Sequence, residues 1–364
     1  MSGGVDSSVA ATLLLEQGYR VDGVFMKNWE ESDDSGHCPA ERDFRDARSV
    51  CDTLGISLRM VNFSRHYRER VFEHFLRELR AGRTPNPDIL CNREIKFRSF
   101  LEYALEQGAE CIATGHYARI ERRGGCLRLL RARDDNKDQT YFLYTLGQEQ
   151  LARSMFPLGE LKKSQVRAIA ARQGLVTHDK RDSTGICFIG KRNFRNFLAR
   201  HLAGRPGEMR TPEGELLGEH GGLMFYTLGQ RQGLGIGGRA GRSSGEPWYV
   251  VGKDPARNIL YVSQGIHPML FSTTLEAGSL HWISGEPVPV PLRCSARVRH
   301  RQPLQECVIT RAGEGRCHVR FDRAQQAVTP GQSIVFYAGE ECLGGAVIER
   351  TDAPAAEQFR RGGA

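Results

Sequence analysis

The residues at the start of the chain form a glycine- and serine-rich stretch that could bind phosphate. The stretch reads Ser2-Gly3-Gly4-Val5-Asp6-Ser7-Ser8, and a segment with helical periodicity follows it directly. Adjacent glycines let backbone N–H groups turn toward an anion, and the N-terminus of a helix favours negative charge. We therefore predict a phosphate site here, with the Asp6 carboxylate placed to hold a cation that bridges the phosphates. An ordinary helix cap is the alternative interpretation.

Two cysteines lie in surroundings that favour reactivity. Cys91 follows the turn Asn86-Pro87-Asp88 and precedes a predicted helix over residues 94–107, and a helix N-terminus lowers the pKa of a thiol. Asp88 comes three residues earlier, where its carboxyl group could give or take a proton. Cys187 lies in a polar stretch flanked by glycines, which predicts a loop. A small buried apolar residue is the alternative for either cysteine.

Two reactive cysteines beside a phosphate site indicate sulfur chemistry. One thiol can carry a terminal sulfur as a persulfide, and the other can attack that sulfur or an activated carbon. The cysteines are scattered over the chain without a C-x-x-C pair, which argues against a disulfide scaffold and against a zinc ribbon. We therefore expect a reducing, cytoplasmic environment.

The length and composition predict a globular protein of two or three domains. The chain has 364 residues, 40% of them hydrophobic and 26% charged, and single cores stop growing near ~250–300 residues. No stretch approaches the ~18 apolar residues that a membrane helix needs, and no leader pattern opens the chain, so we expect no membrane association. Helical and strand patterns alternate up to about residue 195, as in an α/β fold, and short strands separated by turns follow, as in small β-barrels.

The net charge of +8 favours a polyanionic partner. Arg297, Arg299 and Arg301 alternate along one predicted strand, so they would share a face suited to phosphates. A predicted hairpin around residues 124–125 carries a second group, formed by Arg119, Arg122, Arg123, Arg128, Arg131 and Arg133. A solvated surface without a partner is the alternative for both groups.

Longer motifs resemble those of the bacterial tRNA-specific 2-thiouridylases, and the opening loop resembles the pyrophosphate loop of the ATP-pyrophosphatase superfamily. The motifs are residues 82–97 with Asp88-Ile89-Leu90-Cys91-Asn92, Ala113-Thr114-Gly115-His116-Tyr117, residues 136–143, residues 182–190 with Ser183-Thr184-Gly185-Ile186-Cys187-Phe188, residues 226–238, and Thr329-Pro330-Gly331-Gln332. The resemblance runs from Met1 to about Arg350.

The resemblance implies an α/β parallel-sheet nucleotide-binding domain of the adenine nucleotide α-hydrolase-like type, followed by a small central domain and a C-terminal β-barrel. We expect the catalytic domain with both reactive cysteines over residues 1–200, the central domain over 201–266, the tRNA-contacting barrel over 267–352 and a flexible tail over 353–364. The family has a short strand before its pyrophosphate loop, whereas this chain begins at the loop. If that strand is lacking, we expect weak ATP binding and reduced stability.

The resemblance also implies a reaction, which is the ATP-dependent 2-thiolation of the wobble uridine, position 34, in the tRNAs for Lys, Glu and Gln. AMP would be transferred to the C2 oxygen with release of pyrophosphate, with ATP as substrate and Mg²⁺ as its companion ion. Persulfide sulfur would arrive from a sulfur-relay carrier or directly from a cysteine desulfurase. Cys187 corresponds to the persulfide carrier, Cys91 to the nucleophile and Asp88 to the acid/base, and the two cysteines would form a transient disulfide. Direct attack by the persulfide and attack by freed hydrosulfide remain alternatives.

Further residues match the family by position. The ATP contacts would be Ser2, Gly3, Gly4, Val5, Asp6, Ser7, Ser8, Met26 and Gly115. The tRNA contacts would be Asn86, Pro87, Asp88, His116, Lys137, Asp138, Gln139, Arg299, His300 and Gln332. Because a wobble base must leave its stack to reach buried cysteines, we also expect base flipping.

Two other functions remain as alternatives. One is a pyrophosphatase-loop ligase that delivers ammonia, like the amidotransferase synthetases, and it would need neither Cys91 nor Cys187. The other is a non-catalytic tRNA-binding sulfur carrier, which would release no pyrophosphate from ATP in the presence of tRNA.

Overall fold

The first part of the chain alternates helices with short parallel strands. The computed structural model describes residues 1–30, 39–182, 194–236 and 245–354. Up to residue 182 the elements are α1 (Val5–Glu16), β1 (Gly23–Lys27), α2 (Pro39–Leu54), β2 (Leu58–Asn62), α3 (Ser64–Tyr67), α4 (Glu73–Arg80), α5 (Pro87–Cys91), α6 (Phe100–Glu106), β3 (Ile112–Ala113), β4 (Ala118–Arg123), β5 (Cys126–Arg131), α7 (Thr140–Leu143), α8 (Gln148–Ala152), β6 (Ser154–Met155) and α9 (Lys163–Arg172). Within the described ranges, no helix is long and apolar enough to cross a membrane.

The parallel strands form two pairs. β1 runs parallel to β2 with Gly23 opposite Leu58, and β3 runs parallel to β6 with Ile112 opposite Ser154. Parallel strands need a long crossover, which α2 provides between β1 and β2, and the hairpin β4–β5 with α7 and α8 provides between β3 and β6. The α/β prediction for this part of the chain is therefore confirmed.

Two apolar cores hold the helices of this domain. In one, α1 packs against α9 through Val5, Val9 and Val166, all of them buried. The other surrounds two longer helices, in which π-helical turns over Arg68–Phe72 and Asn92–Ser99 join α3 to α4 and α5 to α6. Cys91 belongs to this second core and has no exposed surface.

A small four-stranded sheet follows the catalytic domain. After α10 (Phe194–Ala199), its strands are β7 (Gly207–Arg210), β8 (Leu216–His220), β9 (Trp248–Asp254) and β10 (Ile259–Gln264). They lie side by side in the order β8-β7-β10-β9, around an apolar core that includes Val250, Leu260 and Val262. The predicted small central domain is confirmed.

Six further strands close into a barrel. They are β11 (Phe271–Trp282), β12 (Leu292–Arg297), β13 (Gln305–Gly313), β14 (Arg316–Gln326), β15 (Ser333–Ala338) and β16 (Glu341–Thr351). β16 pairs with both β15 and β11, so the order β11-β14-β13-β12-β15-β16 returns to its start. Alternate side chains such as Ile309, Val319 and Phe336 fill the interior, as expected for a small barrel. The predicted C-terminal barrel is confirmed.

The arginine-rich hairpin β4–β5 joins the catalytic domain to this barrel. Leu129 and Leu130 of β5 pair with the first residues of β16. Arg128 forms an ion pair of 2.6 Å with Glu341, and Arg119 forms one of 2.9 Å with Glu340. Arg119 and Arg128 are therefore paired at a domain junction, whereas Arg122 and Arg123 at the tip of the hairpin are exposed. For the tip, the interpretation as a nucleic-acid surface stays a prediction. Sequence spacing did not reveal the acidic partners, since they lie more than 200 residues away.

The predicted cationic stripe does not exist as one face. β12 ends at Arg297, so the alternation of side chains does not continue to Arg299 and Arg301. Arg297 is buried and donates a 3.0 Å hydrogen bond to the Asp138 carboxylate. Arg299 donates to the carbonyl oxygens of Leu228 and Ala327, at 2.8 and 3.0 Å. The stripe prediction was wrong because buried acceptors take up two of its three guanidinium groups.

The Asp138–Arg297 pair is the centre of a buried joint between the catalytic domain and the barrel. Beside it, the Thr140 hydroxyl lies 3.2 Å from the Tyr337 hydroxyl, and the guanidinium of Arg297 lies 5.5 Å from the centre of the Tyr337 ring. Tyr141 donates a 2.8 Å hydrogen bond to the Ser333 carbonyl. These side chains thus pair polar groups of both domains inside the joint, whereas the buried Nε atom of Arg297 has no hydrogen-bond partner among the described residues.

We predict that Arg297→Met lowers the free energy of unfolding by about 3 kcal/mol, because it leaves the buried Asp138 carboxylate without its closest cation. Urea unfolding followed by tryptophan fluorescence measures this loss. Arg293→Met is the matched control, since Arg293 lies on the same strand but is 62% exposed and pairs with the exposed Asp322. It should change stability by less than about 1 kcal/mol. An equal loss in both variants would contradict the assignment of Arg297 to a buried joint.

Candidate active site

The glycine- and serine-rich loop wraps around the start of α1. Gly4 is the N-terminal cap of α1, and its carbonyl oxygen accepts hydrogen bonds from the hydroxyls of Ser7 and Ser8 at 3.1 and 2.9 Å. Gly3 has a φ of +70°, and a Cβ there would overlap the Asp43 carbonyl oxygen of α2. The loop is therefore held tightly against α2. The first N–H groups of a helix have no acceptor within the helix, so this geometry suits an anion.

The remaining members of the loop divide into internal and accessible groups. Val5 is buried against α9, and the Ser8 side chain is buried with its hydroxyl 3.1 Å from that of Thr177. Ser2 and Ser7 are linked by their hydroxyls at 3.0 Å on the exposed side. An incoming phosphate can therefore reach the hydroxyls of Ser2 and Ser7. The buried side chains of Val5 and Ser8 hold the loop against the rest of the domain.

A second turn packs directly on this loop. The Thr114-Gly115-His116 turn follows β3, and a Cβ on Gly115 would lie 2.8 Å from the Ser7 nitrogen. Met26 occupies the corresponding place near the end of β1, where its side chain is partly buried. Ligands of open α/β sheets bind at the carboxyl ends of the strands, and both residues lie there. The structure thus brings the loop and Gly115 into contact and places Met26 at the same edge of the fold.

His116 connects this turn to the helix that carries Cys91. Its Nδ1 lies 2.7 Å from the Thr114 hydroxyl, and its Nε2 lies 3.4 Å from the Lys96 ammonium. Burial, together with the charge of Lys96, holds the pKa of His116 well below its usual range, so the ring is neutral at pH 7. Lys96 belongs to the π-helical turn that continues from Cys91. One chain of contacts therefore runs from the phosphate loop to the cysteine helix.

The cysteine helix begins earlier than the sequence pattern predicts. Asn86 caps α5 by accepting a 3.1 Å hydrogen bond from the Asp88 backbone nitrogen, and Pro87 is the first helical residue. Proline at this position and asparagine as the cap are both favoured at helix starts. Cys91 is consequently the last residue of α5, one turn inside the helix, and the argument from a helix N-terminus does not apply to its thiol. Asp88, in the first turn, is the group that occupies the N-terminus.

Cys187 lies outside the described residues, and its distance from Cys91 stays a prediction. The described chain ends just before it at Asp182, which is 32% exposed. Burial raises the pKa of Asp182, but hydrogen bonds from Lys137 and Lys163 outweigh this effect and lower the pKa to about 2. The carboxylate is thus ionised at neutral pH and anchored by two lysines, at 2.6 and 2.7 Å.

Lys163 is a residue of the site that the sequence patterns do not reveal. Its ammonium lies 2.7 Å from Asp6 of the loop and 2.7 Å from Asp182, so it bridges the loop and the segment that leads to residue 183. The Asp6 carboxylate also accepts a 2.8 Å hydrogen bond from the Tyr117 hydroxyl. Lys163 begins α9, and it is separated from Asp6 by 157 positions. No local pattern could have indicated this pairing.

The predicted cation site is represented by Asp6 alone. Among the described residues, no group of three or more histidine, cysteine, aspartate or glutamate side chains is arranged to hold a metal ion. Mg²⁺ is commonly bound by one or two carboxylates together with the phosphates of its substrate. A single carboxylate at the mouth of a phosphate loop is compatible with that arrangement, but both oxygens of Asp6 are paired with the Lys163 ammonium here, at 2.7 and 2.8 Å, so a cation would have to compete with Lys163.

Four of the residues predicted to contact tRNA bind protein groups where the domains meet, namely Asp138, Arg299, His300 and Gln332. The Asp138 carboxylate has no exposed surface and pairs with Arg297, so the side chain has a structural role, and contact of this residue with tRNA stays a prediction. The Gln139 side chain accepts a 2.9 Å hydrogen bond from the Tyr117 backbone, and His300 lies 3.0 Å from the Asp138 carbonyl. Gln332 donates a 2.7 Å hydrogen bond to the Thr84 carbonyl.

Comparison with known proteins gives the same division of the chain. Residues 1–191 match the family described as the tRNA methyl transferase HUP domain. Residues 195–264 match the tRNA methyl transferase PRC-barrel domain, and residues 272–348 match the aminomethyltransferase beta-barrel domain.

Curated relatives align over nearly the whole chain. The tRNA-specific 2-thiouridylase MnmA of Methylococcus capsulatus is 61% identical over 355 residues, which cover 96% of this chain and 95% of the relative. The proteins of the same name from Nitrosococcus oceani and Pseudomonas aeruginosa are 58% and 57% identical, each over 97% of this chain and 96% and 94% of their own lengths. With a phosphate loop, a cysteine helix and two β-domains in the same order, the chain belongs to the family of the tRNA-specific 2-thiouridylases.

Proposed function

We propose that this protein is a tRNA uridine 2-sulfurtransferase, which uses ATP to replace the C2 oxygen of uridine 34 with sulfur in the tRNAs for Lys, Glu and Gln. The observation that carries the proposal is the chain of contacts that joins the phosphate loop, through Gly115, His116 and Lys96, to the helix of Cys91. This chain of contacts links the proposed nucleotide site to the Cys91 thiol. The relatives named as tRNA-specific 2-thiouridylases support the same activity over the full length.

In the first half-reaction, the C2 oxygen of the uridine attacks the α-phosphate of ATP, and pyrophosphate leaves. The backbone amides at the start of α1 and the hydroxyls of Ser2 and Ser7 bind the phosphates, and Lys163 adds a positive charge close to them. Met26 and Gly115 bind the adenosine side at the strand ends. Mg²⁺, held by Asp6 and the phosphates, would neutralise charge on the leaving pyrophosphate.

In the second half-reaction, sulfur replaces the adenylated oxygen and AMP leaves. A persulfide on Cys187, loaded by a relay carrier or a cysteine desulfurase, supplies the sulfur. In one route its terminal sulfur attacks C2 and expels AMP, and Cys91 then attacks the Cys187 sulfur, which breaks the S–S bond and releases the thiouridine. In the other route Cys91 attacks the inner sulfur first and frees hydrosulfide, which attacks C2 and expels AMP. Both routes leave Cys91 and Cys187 as a disulfide that a reductant must open. Asp88, one turn before Cys91, exchanges the proton.

Uridine 34 of the tRNA, flipped out of its stack, would bind at the start of α5. In this proposal Asn86, Pro87 and Asp88 at that helix start contact the uridine. Lys137, which pairs with Asp182, and His116, whose Nε2 lies 3.4 Å from the Lys96 ammonium, are further tRNA contacts. The net charge of +8 favours binding of a polyanion, and Arg301 remains exposed beside the barrel joint. Scattered cysteines fit a reducing compartment, so we place the protein in the cytoplasm with the tRNA pool.

We predict that Cys91→Ser abolishes 2-thiouridine formation, because a hydroxyl cannot take part in persulfide exchange. The measurement is mass spectrometry of nucleosides from tRNA(Glu) incubated with the protein, ATP and a persulfide donor. Cys126→Ser is the matched control, since Cys126 is an exposed free cysteine on the hairpin β4–β5, and it should thiolate like the wild type. Full thiolation by Cys91→Ser would contradict the role of Cys91 as the nucleophile. Wild-type protein that releases pyrophosphate but forms no 2-thiouridine would favour the ammonia-delivering ligase. Wild-type protein that releases no pyrophosphate would favour the non-catalytic carrier.

We predict that Gly115→Ala weakens ATP binding at least about tenfold, a loss of ~1.4 kcal/mol. The added methyl group would lie 2.8 Å from the Ser7 nitrogen, so the phosphate loop must move. Equilibrium binding of a non-hydrolysable ATP analogue measures the loss. Gly313→Ala tests the effect of a methyl group alone, because a Cβ there meets nothing within 4 Å. Equal affinity of the two variants would contradict the placement of the nucleotide at this turn.

A further inference from the structure

A turn of the C-terminal barrel grips the loop that leads into the cysteine helix. The turn is residues 329–332, between β14 and β15, and the loop is residues 82–86. The Thr84 backbone nitrogen donates a 2.9 Å hydrogen bond to the Pro330 carbonyl. The Thr84 carbonyl accepts a 2.7 Å hydrogen bond from the Gln332 side chain. Both backbone polar groups of Thr84 are therefore satisfied by the barrel.

The barrel turn is shaped for this close approach. Gly331 has a φ of +92°, and a Cβ there would lie 2.8 Å from the Thr84 nitrogen and 3.0 Å from its carbonyl carbon. Only glycine fits both the backbone conformation and the space. The turn is itself anchored, because the Gly331 nitrogen donates to the Ile348 carbonyl of β16 and the Ile348 nitrogen donates to the Gln332 carbonyl, both at 2.8 Å.

Two further contacts hold the loop from other directions. Arg83 forms two hydrogen bonds of 2.6 Å with Glu78 of α4. From the central sheet, the Lys253 ammonium lies 3.5 Å from the Gly82 carbonyl. All three domains thus meet at residues 82–84. The loop continues through Pro85 and Pro87, whose rings restrict the backbone, so a displacement of Thr84 is passed on to Asn86 and the start of α5.

We propose that the barrel turn at Gly331 and Gln332 positions the N-terminal end of α5. A domain remote from the nucleotide thereby sets where Asn86 and Asp88 contact the target uridine. This inference rests on the proposed function for the role of those two residues. Gln332 then acts through Thr84 as a positioning residue. The arrangement couples seating of tRNA on the barrel to the geometry of the reacting base, for which small displacements are costly.

Hydrogen exchange of the free protein tests the structural half of the proposal without tRNA or turnover. In Gly331→Ala the turn must withdraw from Thr84. We therefore expect the backbone amide of Thr84 to exchange about tenfold faster than in the wild type, as for the loss of one hydrogen bond. Gly339→Ala is the matched control, because Gly339 also lies in the barrel with a φ of +59° but a Cβ there meets nothing within 4 Å. It should leave exchange at Thr84 unchanged.

Gln332→Met tests the second contact and stays informative if Gly331→Ala does not fold. It keeps the length of the side chain but removes the donor to Thr84. We expect kcat/KM for thiolation of tRNA to fall about tenfold or more, and the Kd for an ATP analogue to change less than about twofold, because the phosphate loop contacts α2 and α9 and not the barrel turn. Gly339→Ala should match the wild type in both values.

The outcomes separate this inference from the proposed function. Slower thiolation by Gln332→Met with unchanged exchange across residues 82–90 in the free protein would overturn the inference, because Gln332 would then act on tRNA directly. If the wild-type protein never thiolates tRNA, the proposed function is overturned. Faster exchange in the variants would then still establish that the barrel turn holds the loop of residues 82–86.

Discussion

The orientation of the barrel on the catalytic domain depends on a buried ion pair between Asp138 of that domain and Arg297 of the barrel. Burial of two charges is costly, and it is tolerated only where each charge finds its partner and further hydrogen bonds. Asp138 has such bonds, since it accepts hydrogen bonds from the Thr140 hydroxyl as well as from Arg297. A pair of this kind disfavours other orientations of the barrel, because any rotation would leave a charge buried without its partner.

This orientation brings the barrel to two distant parts of the catalytic domain. On one side, β16 extends the hairpin β4–β5, and Glu340 and Glu341 pair with Arg119 and Arg128 of that hairpin. On another side, the turn at Gly331 reaches the loop before α5. Arginines that the sequence alone would assign to a nucleic-acid surface therefore pair with acidic groups of the protein itself. The affinity for tRNA must come from the cations that stay exposed, so net charge alone is a poor guide to the binding face.

The site itself is organised by close backbone approach and by lysines that bridge its parts. Gly115 lets one turn lie against the phosphate loop, and Lys163 ties Asp6 of the loop to Asp182, whose carboxylate stays ionised. The thiol of Cys91 lies in an apolar core rather than at a helix N-terminus. In the proposed reaction the groups that act on this thiol are Asp88, one turn earlier, and the incoming persulfide.

The sequence by itself determined what depends on local order along the chain. The α/β alternation, the short strands of the barrel and the phosphate loop at the start of α1 all follow from periodicity and glycine placement, and family motifs indicate the reactive cysteines. The tertiary structure alone decided the pairing of Lys163 with Asp6, the buried roles of Asp138 and Arg297, and the contact of Gln332 with Thr84. Each of these joins residues more than 150 positions apart. Spacing in sequence carries no information about such contacts, because they arise only when separately folded elements pack against one another.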